Sequence, residues 1–259
     1  MPLPTVEYPK YTTHLPSTGE RVSYRPYTVR EETVLLTAAQ SGESEDMTNA
    51  LNDLIYAATF ETIDPAKITS YDAEYLFIQI RIKSVSPTVE KRFNVKGEPD
   101  DSCHKQMLLG INLENIGVQV YDSEADEHVK FDPKKHKTKE MIFLSDNLAI
   151  EMSHPGLNQL SEFEKHKADN PDSPDIESLN ILIRKCVIAV YNGDEVYMRD
   201  DFTDDELGEF FDKLLTGSKE KMLDFIVNLP ALRHVAVLEC KQCGFRQEIV
   251  YEGLESFFV

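Results

Sequence analysis

The chain has 259 residues, 41% hydrophobic and 28% charged, with 46 acidic against 27 basic side chains for a net charge of −19. That length makes one elaborate domain or two small ones, and area scaling lets a compact unit bury roughly 73% of its unfolded surface. The acidic balance excludes a polybasic role on nucleic acid or anionic membrane, the composition excludes global disorder, and no apolar run suffices for a transmembrane helix. Met1-Pro2-Leu3-Pro4 lacks the basic and apolar regions of a secretory signal. A cytoplasmic, reducing setting is therefore expected, in which Cys103, Cys186, Cys240 and Cys243 are thiols or metal ligands and not a disulfide framework.

From Pro2 to Pro26 there are five prolines and no apolar periodicity, which predicts an extended N-terminal arm. Leu15 to Glu20 places turn formers between the β-prone segments Tyr11–Leu15 and Arg21–Tyr24, a hairpin tip. Thr28 followed by Glu31 and Glu32 predicts a helix start, with Val29, Leu35, Leu36 and Ala39 at helical spacing and Gly42 as the stop. A second helix is expected from Ser44 with Met47, Leu51, Leu54, Ile55 and Ala58 on one face. A third begins near Ser70, although Tyr71 to Ile82 reads as helix or strand by periodicity alone.

From Thr88 to Val120 the period changes to two, predicting a long hairpin with its turn at Pro99–Ser102. Lys139–Leu144 is a further strand, and the polar stretch from Leu157 to Asp175 holds the best linker candidate. Ile176 to about Tyr191 fits a helix followed by a turn at Asn192–Glu195. Thr203 with Glu206 forms a capping-box start for a stripe of Leu207, Phe210, Phe211 and Leu214, and another helix runs from Ser218 to about Asn228. Two alternating segments, His234–Glu239 and Gln247–Tyr251, flank Cys240-Lys241-Gln242-Cys243-Gly244. The expected fold class is α+β: helices packed around β-hairpins, with an extended proline-rich N-terminal arm and a C-terminal knuckle hairpin. The expected divisions are 1–27 (arm), 28–168 (helices and central hairpin), 169–175 (linker candidate) and 176–259 (helices and Cys-x-x-Cys hairpin). The last of these either forms one compact unit with the preceding region or stands apart.

Cys240 and Cys243 with Gly244 have the spacing of half a zinc site, and Cys103 with His104 at the tip of the other hairpin are the candidates to complete it. Because that second half is an adjacent Cys-His pair, a knuckle holding no metal is the favoured reading, with zinc as the alternative and no other cofactor expected. The acidic clusters at 169–175 and 200–206 lack calcium-loop spacing and read as helix starts and solvated faces. No nucleophile elbow, metalloprotease helix or phosphate loop occurs, so no catalytic residue is assigned. Tyr24, Arg25 and Tyr27 in the arm, and Phe257 and Phe258 near the C-terminus, are candidate partner-binding residues. The competing reading packs the arm on its own domain and the two Phe side chains in its own core.

The block Leu15-Pro16-Ser17-Thr18-Gly19-Glu20, Val22-x-Tyr24-Arg25-Pro26-Tyr27-x-Val29-x-Glu31-Glu32 and Leu35-Leu36-x-Ala38 resembles the opening of the bacteriophage T4-type baseplate proteins. These are the hub subunits and hub assembly proteins of contractile-tailed phages. Cys240-x-x-Cys243-Gly244 followed by Gly253-Leu254-x-x-Phe257-Phe258 resembles that family's ending, as the Tyr75–Ser84 segment resembles its middle. Family members often carry a second Cys-x-x-Cys, from which Asp100–His104 departs, and this weakens the zinc reading. The resemblance implies a noncatalytic structural or assembly protein of the baseplate hub, located in the virion tail and, during assembly, in the host cytoplasm. Its implied partners are other hub or tail proteins, in a hetero-oligomer, without nucleic acid or membrane. An assembly chaperone absent from the finished virion and a zinc-ribbon binding module are the alternatives.

Overall fold

The structure, a computed structural model, describes residues 6–94, 106–171, 175–241 and 244–258. Its elements are a mixture of helices and small antiparallel sheets, the α+β class expected from the sequence. Strands β1 (Tyr11–His14) and β2 (Arg21–Tyr24) pair antiparallel with Tyr11 opposite Tyr24. Their turn closes through Gly19 N–H to the Leu15 carbonyl at 2.8 Å, with Gly19 at φ +73° where a side chain would be strained.

Helix α1 (Val29–Ser41) starts at Thr28 through a complete capping box with Glu31 and stops at Gly42, whose φ is +75°. Of the residues at helical spacing Leu35 is half-buried against the hydrophobic core, whereas Val29, Leu36 and Ala39 are exposed, and Ala38 is the buried residue of this helix. α1 lies against α2 (Ser44–Ala58), and Val34 is exposed like Val29 and Leu36. α2 buries Ala50, Leu51, Leu54, Ile55 and Ala58 as its periodicity predicts.

α3 (Ser70–Ser84) carries buried apolar residues on more than one face and is largely enclosed. Ala73, Leu76, Phe77 and Ile80 join Leu15, Val22, Tyr24 and the α2 residues in a first core. Tyr71, Ile78 and Ile82 face a second core, which resolves the helix-or-strand ambiguity: a helix can serve two cores at once. That second core is roofed by strands. β3 (Thr88–Asn94) and β4 (Gln106–Asn112) form a hairpin whose turn lies outside the described residues. β5 (Gly117–Asp122) and β6 (Glu127–Lys130) belong to another sheet, whose remaining strands come from the far end of the chain.

β7 (Lys139–Phe143) and β8 (Leu148–Ser153) precede α4 (Leu157–Asp169) and α5 (Asp175–Cys186). The polar stretch after Leu157, which holds the linker candidate, is helical as far as Asp169, capped by Gly156 N–H to Gln159 Oε1 at 3.0 Å. The linker candidate thus begins inside α4 and ends at α5, and the two helices pack on each other. A correction concerns α5, which ends at Cys186 and not Tyr191. Val187–Asn192 is instead β9, paired on one side with β8 and on the other with β10 (Glu195–Met198), as suits a run rich in Val, Ile and Tyr. The sheet β10-β9-β8-β7 packs beneath α5, α6 (Asp204–Asp212) and α7 (Thr216–Val227) in a third core around Ile150, Met152, Ile183, Val187, Met222 and Ile226.

β11 (Ala231–Glu239) and β12 (Arg246–Glu252) complete the sheet β12-β11-β5-β6, and α8 (Gly253–Phe258) closes the second core. The three cores are joined by α3 and by polar contacts from α4. Lys165 bonds Glu45 of α2 at 2.7 Å, and Glu162 bonds Lys185 of α5 at 2.9 Å.

Candidate functional site

The opening block builds a structural joint. Ser17 at the hairpin tip donates its backbone N–H to Asp72 Oδ1 at 2.9 Å and its hydroxyl to Asp72 Oδ2, and the Thr69 hydroxyl donates to the same oxygen at 2.8 Å. Asp72 is fully buried, and burial pushes its carboxyl above the usual range even though the hydrogen bonds from Ser17 and Thr69 favour the charged form. Thr69 also caps α3 by accepting Asp72 N–H, one position earlier than the Ser70 cap expected. Asp72 therefore fixes both the start of α3 and the tip of the β1–β2 hairpin.

Arg25 is held the same way. Its guanidinium meets Glu31 in a fork, at 3.0 Å to Oε2 and 2.7 Å to Oε1, and donates to the Pro26 carbonyl at 2.9 Å. Burial pushes the Glu31 carboxyl up, but the hydrogen bonds from Arg25 and Thr28 outweigh it and hold the carboxyl low. Arg25 N–H bonds the Ala58 carbonyl at 2.9 Å and Tyr27 N–H the Ser84 hydroxyl at 2.9 Å, so this segment is strapped to α2 and α3.

The candidate contact residues thus divide by burial. Tyr24 is 2% and Phe257 0% exposed; both serve this chain's own cores, with the Phe257 ring stacked on Tyr251 at 5.6 Å. Arg25 and Tyr27 are half-buried. The Phe258 side chain lies outside what the structure describes. So do Cys103, His104 and Cys243 of the proposed metal set. Cys240 is buried, and its carbonyl accepts Gly244 N–H at 2.8 Å with Gly244 at φ +74°, the tight turn the sequence predicts. Among the described residues no group of three or more His, Cys, Asp and Glu side chains is placed to hold a metal ion. Nor is any described helix long and apolar enough to cross a membrane.

A cleft of about 540 Å³, which sequence reasoning did not find, lies beside the edge strand β7. Phe131, His136, Met141, His154, Lys221 and Phe225 line it. His154 packs on Tyr71 and Phe225, its Nδ1 lies 3.0 Å from the Tyr71 hydroxyl, and burial pushes its imidazole down to about 4. His136 Nδ1 accepts Asp132 N–H at 2.9 Å, which puts the ring proton on the other nitrogen. Both imidazoles are held in the fold by hydroxyl or backbone groups. No sequence signal marks this cleft, since its lining comes from segments that only the fold brings together.

The acidic cluster after β10 also serves the fold. Asp201 accepts Met198 N–H at 2.7 Å, Asp204 pairs with Lys185 at 3.2 Å and with Arg199, and Glu206 closes the capping box on Thr203.

No curated protein and no solved structure matches the chain. A family model described as T4 bacteriophage base plate protein matches residues 8–259. The match spans all three cores and begins at the arm whose motif residues form the Asp72 and Arg25 joints, so the chain belongs to the T4 bacteriophage base plate protein family.

Proposed function

We propose that the chain is a noncatalytic structural or assembly protein of the baseplate hub, acting by binding other hub or tail proteins in a hetero-oligomer. It would work in the virion tail and, during assembly, in the host cytoplasm. The family match over 8–259 carries this reading. The edge strands β7 and β10 offer contact surfaces, exposing Met141, Phe143, Val196, Tyr197 and Met198.

The test is copurification of tagged protein from infected cells followed by identification of what accompanies it. Hub or tail proteins are the expected partners, and their absence would overturn the reading. Mass spectrometry of purified virions then separates a retained subunit from a released assembly factor.

A further inference from the structure

Residues 134–139 are the densest basic run of the chain, four lysines with His136 and no acid, in a protein of net charge −19. Lys134, Lys135, Lys137 and Lys139 are exposed, and among the described residues none of their ammonium groups has an ion-pair or hydrogen-bond partner. The loop that carries them is fixed. Asp132 Oδ1 accepts Lys134 N–H at 3.0 Å, the Asp132 carbonyl accepts Lys135 N–H at 2.9 Å, and the His136 ring lies 5.1 Å from that of Phe131. The run leads straight into β7, which is the edge of its sheet. His154 N–H bonds the Thr138 carbonyl and Leu144 N–H the Leu148 carbonyl, each at 2.9 Å, so by alternation Glu140 and Ile142 turn their backbone groups to β8. The N–H and C=O groups of Lys139, Met141 and Phe143 therefore point to the open side. Lys221 Nζ occupies the Phe143 carbonyl at 2.7 Å, and the others have no partner among the described residues. The cleft of about 540 Å³ runs along this edge, with Phe131, Ile142 and Phe225 in its lining.

Resting on the binding role proposed above, we propose that β7 takes up an extended, acidic segment of a partner protein as an added strand of the sheet β10-β9-β8-β7. The open backbone groups select a peptide. They alternate donor and acceptor along one edge, and a second strand returns both, whereas phosphates of a nucleic acid return acceptors alone. Charge selects the sign of that peptide. Across 132–143 with Lys221 and Asp224 of the cleft, five lysines stand against Asp132, Glu140 and Asp224, whereas the whole chain holds 46 acids against 27 bases. An acidic segment is therefore attracted at this edge and repelled over the rest of the surface, which confines it to β7. The strand period sorts its side chains. Glu140 and Ile142 share the face that lines the cleft, so apolar residues of the added strand enter there, against Phe131 and Phe225. Its acids take the other face, beside Lys139 and next to the 134–137 lysines. The fitting partner segment thus alternates acidic and aliphatic residues.

Fluorescence anisotropy tests this with a labelled peptide of about eight residues alternating glutamate and valine. The full chain binds it at low salt with a dissociation constant of ~10–100 μM, and added salt weakens the complex. Lys137→Glu combined with Lys139→Glu weakens binding about tenfold or more at an unchanged melting temperature, both side chains being exposed and unpaired. Lys67→Glu combined with Lys165→Glu makes the same change of charge on other elements and leaves binding within about twofold. Methylation of alternate peptide nitrogens separates strand addition from plain attraction. One of the two alternating sets abolishes binding and the other spares it, because only one set of N–H groups faces β7. No binding, equal losses in the two double variants, or equal effects of the two methylated sets would overturn the proposal. So would equally tight binding of a lysine-valine peptide or of oligothymidylate, or self-association of the chain that shuts the peptide out. Copurification keeps the site and the role apart. Tail proteins recovered equally by the wild-type chain and by the Lys137→Glu, Lys139→Glu chain would remove the site and leave the role, whereas a wild-type chain that recovers none removes both.

Discussion

Asp72 shows how much of this fold hangs on single side chains. It accepts the Ser17 N–H, the Ser17 hydroxyl and the Thr69 hydroxyl in a fully buried site, so Asp72→Ala strands three donors, each costing ~1–3 kcal/mol. Loss of at least about 3 kcal/mol is expected, a fall in melting temperature of roughly 6–12 °C for a chain this size. Ser17→Ala removes one donor and leaves the rest, so calorimetry that ranked it above Asp72→Ala would refute this account. His154 gives the residue-scale pH dependence. Its folded imidazole titrates near about 4 against 6.5 in the unfolded chain, so between those values the unfolded state binds more protons. Stability contributed by the neutral ring is complete above pH ~6.5 and lost as pH falls toward ~4, by up to about 3 kcal/mol. Urea midpoints at neutral and acid pH should therefore drop less in His154→Gln than in the wild-type chain.

At the scale of elements, the Arg25–Glu31 fork ties the exit of β2 to the first turn of α1. Its side chains are only 13% and 19% exposed, so Arg25→Ala leaves a half-buried carboxylate without its cation and costs ~2 kcal/mol. Amide exchange in α1 should accelerate while exchange in α7 stays unchanged, and Arg25→Lys should recover only part of the protection because ammonium cannot reproduce the fork. The start of α1 was legible because Thr28 and Glu31 are a local chemical signal, as are Thr203 and Glu206 for α6. Which face of α1 is buried was not legible, since the periodicity of Val29, Leu35 and Leu36 is the same whether the stripe meets a core or solvent. α4 escaped notice because it offers few apolar anchors and a glycine cap held by Gln159. β9 follows α5 with no breaker between Cys186 and Val187, so only the pairing with β8 and β10 ends the helix. The contact aromatics invert the same lesson: Tyr24 and Phe257 have interface-like chemistry, and the fold spends them on its own cores.

For the whole molecule the question is what a charge of −19 does. The acids at 200–206 read in sequence as a solubility coat, and the structure splits them by task. Asp204 is exposed like Asp200 and Asp205, yet it bridges Lys185 and Arg199, whose hydrogen bonds and charges outweigh its desolvation and hold its carboxyl low. Neutralising Asp200 and Asp205 together should leave the melting temperature within about 1 °C while lowering solubility, because surface charge of this kind contributes little to stability and much to mutual repulsion. Asp204→Asn should do the opposite: about 1 kcal/mol of stability lost from the joint between α5 and α6, and little change in solubility. Precipitation by ammonium sulfate and thermal unfolding, run on the same variants, separate the two effects. If the three substitutions moved both measurements in parallel, the acidic excess would be a single undivided field. The expected divergence means instead that a few acids lock the third core to its helices, while the remainder keep separate copies apart.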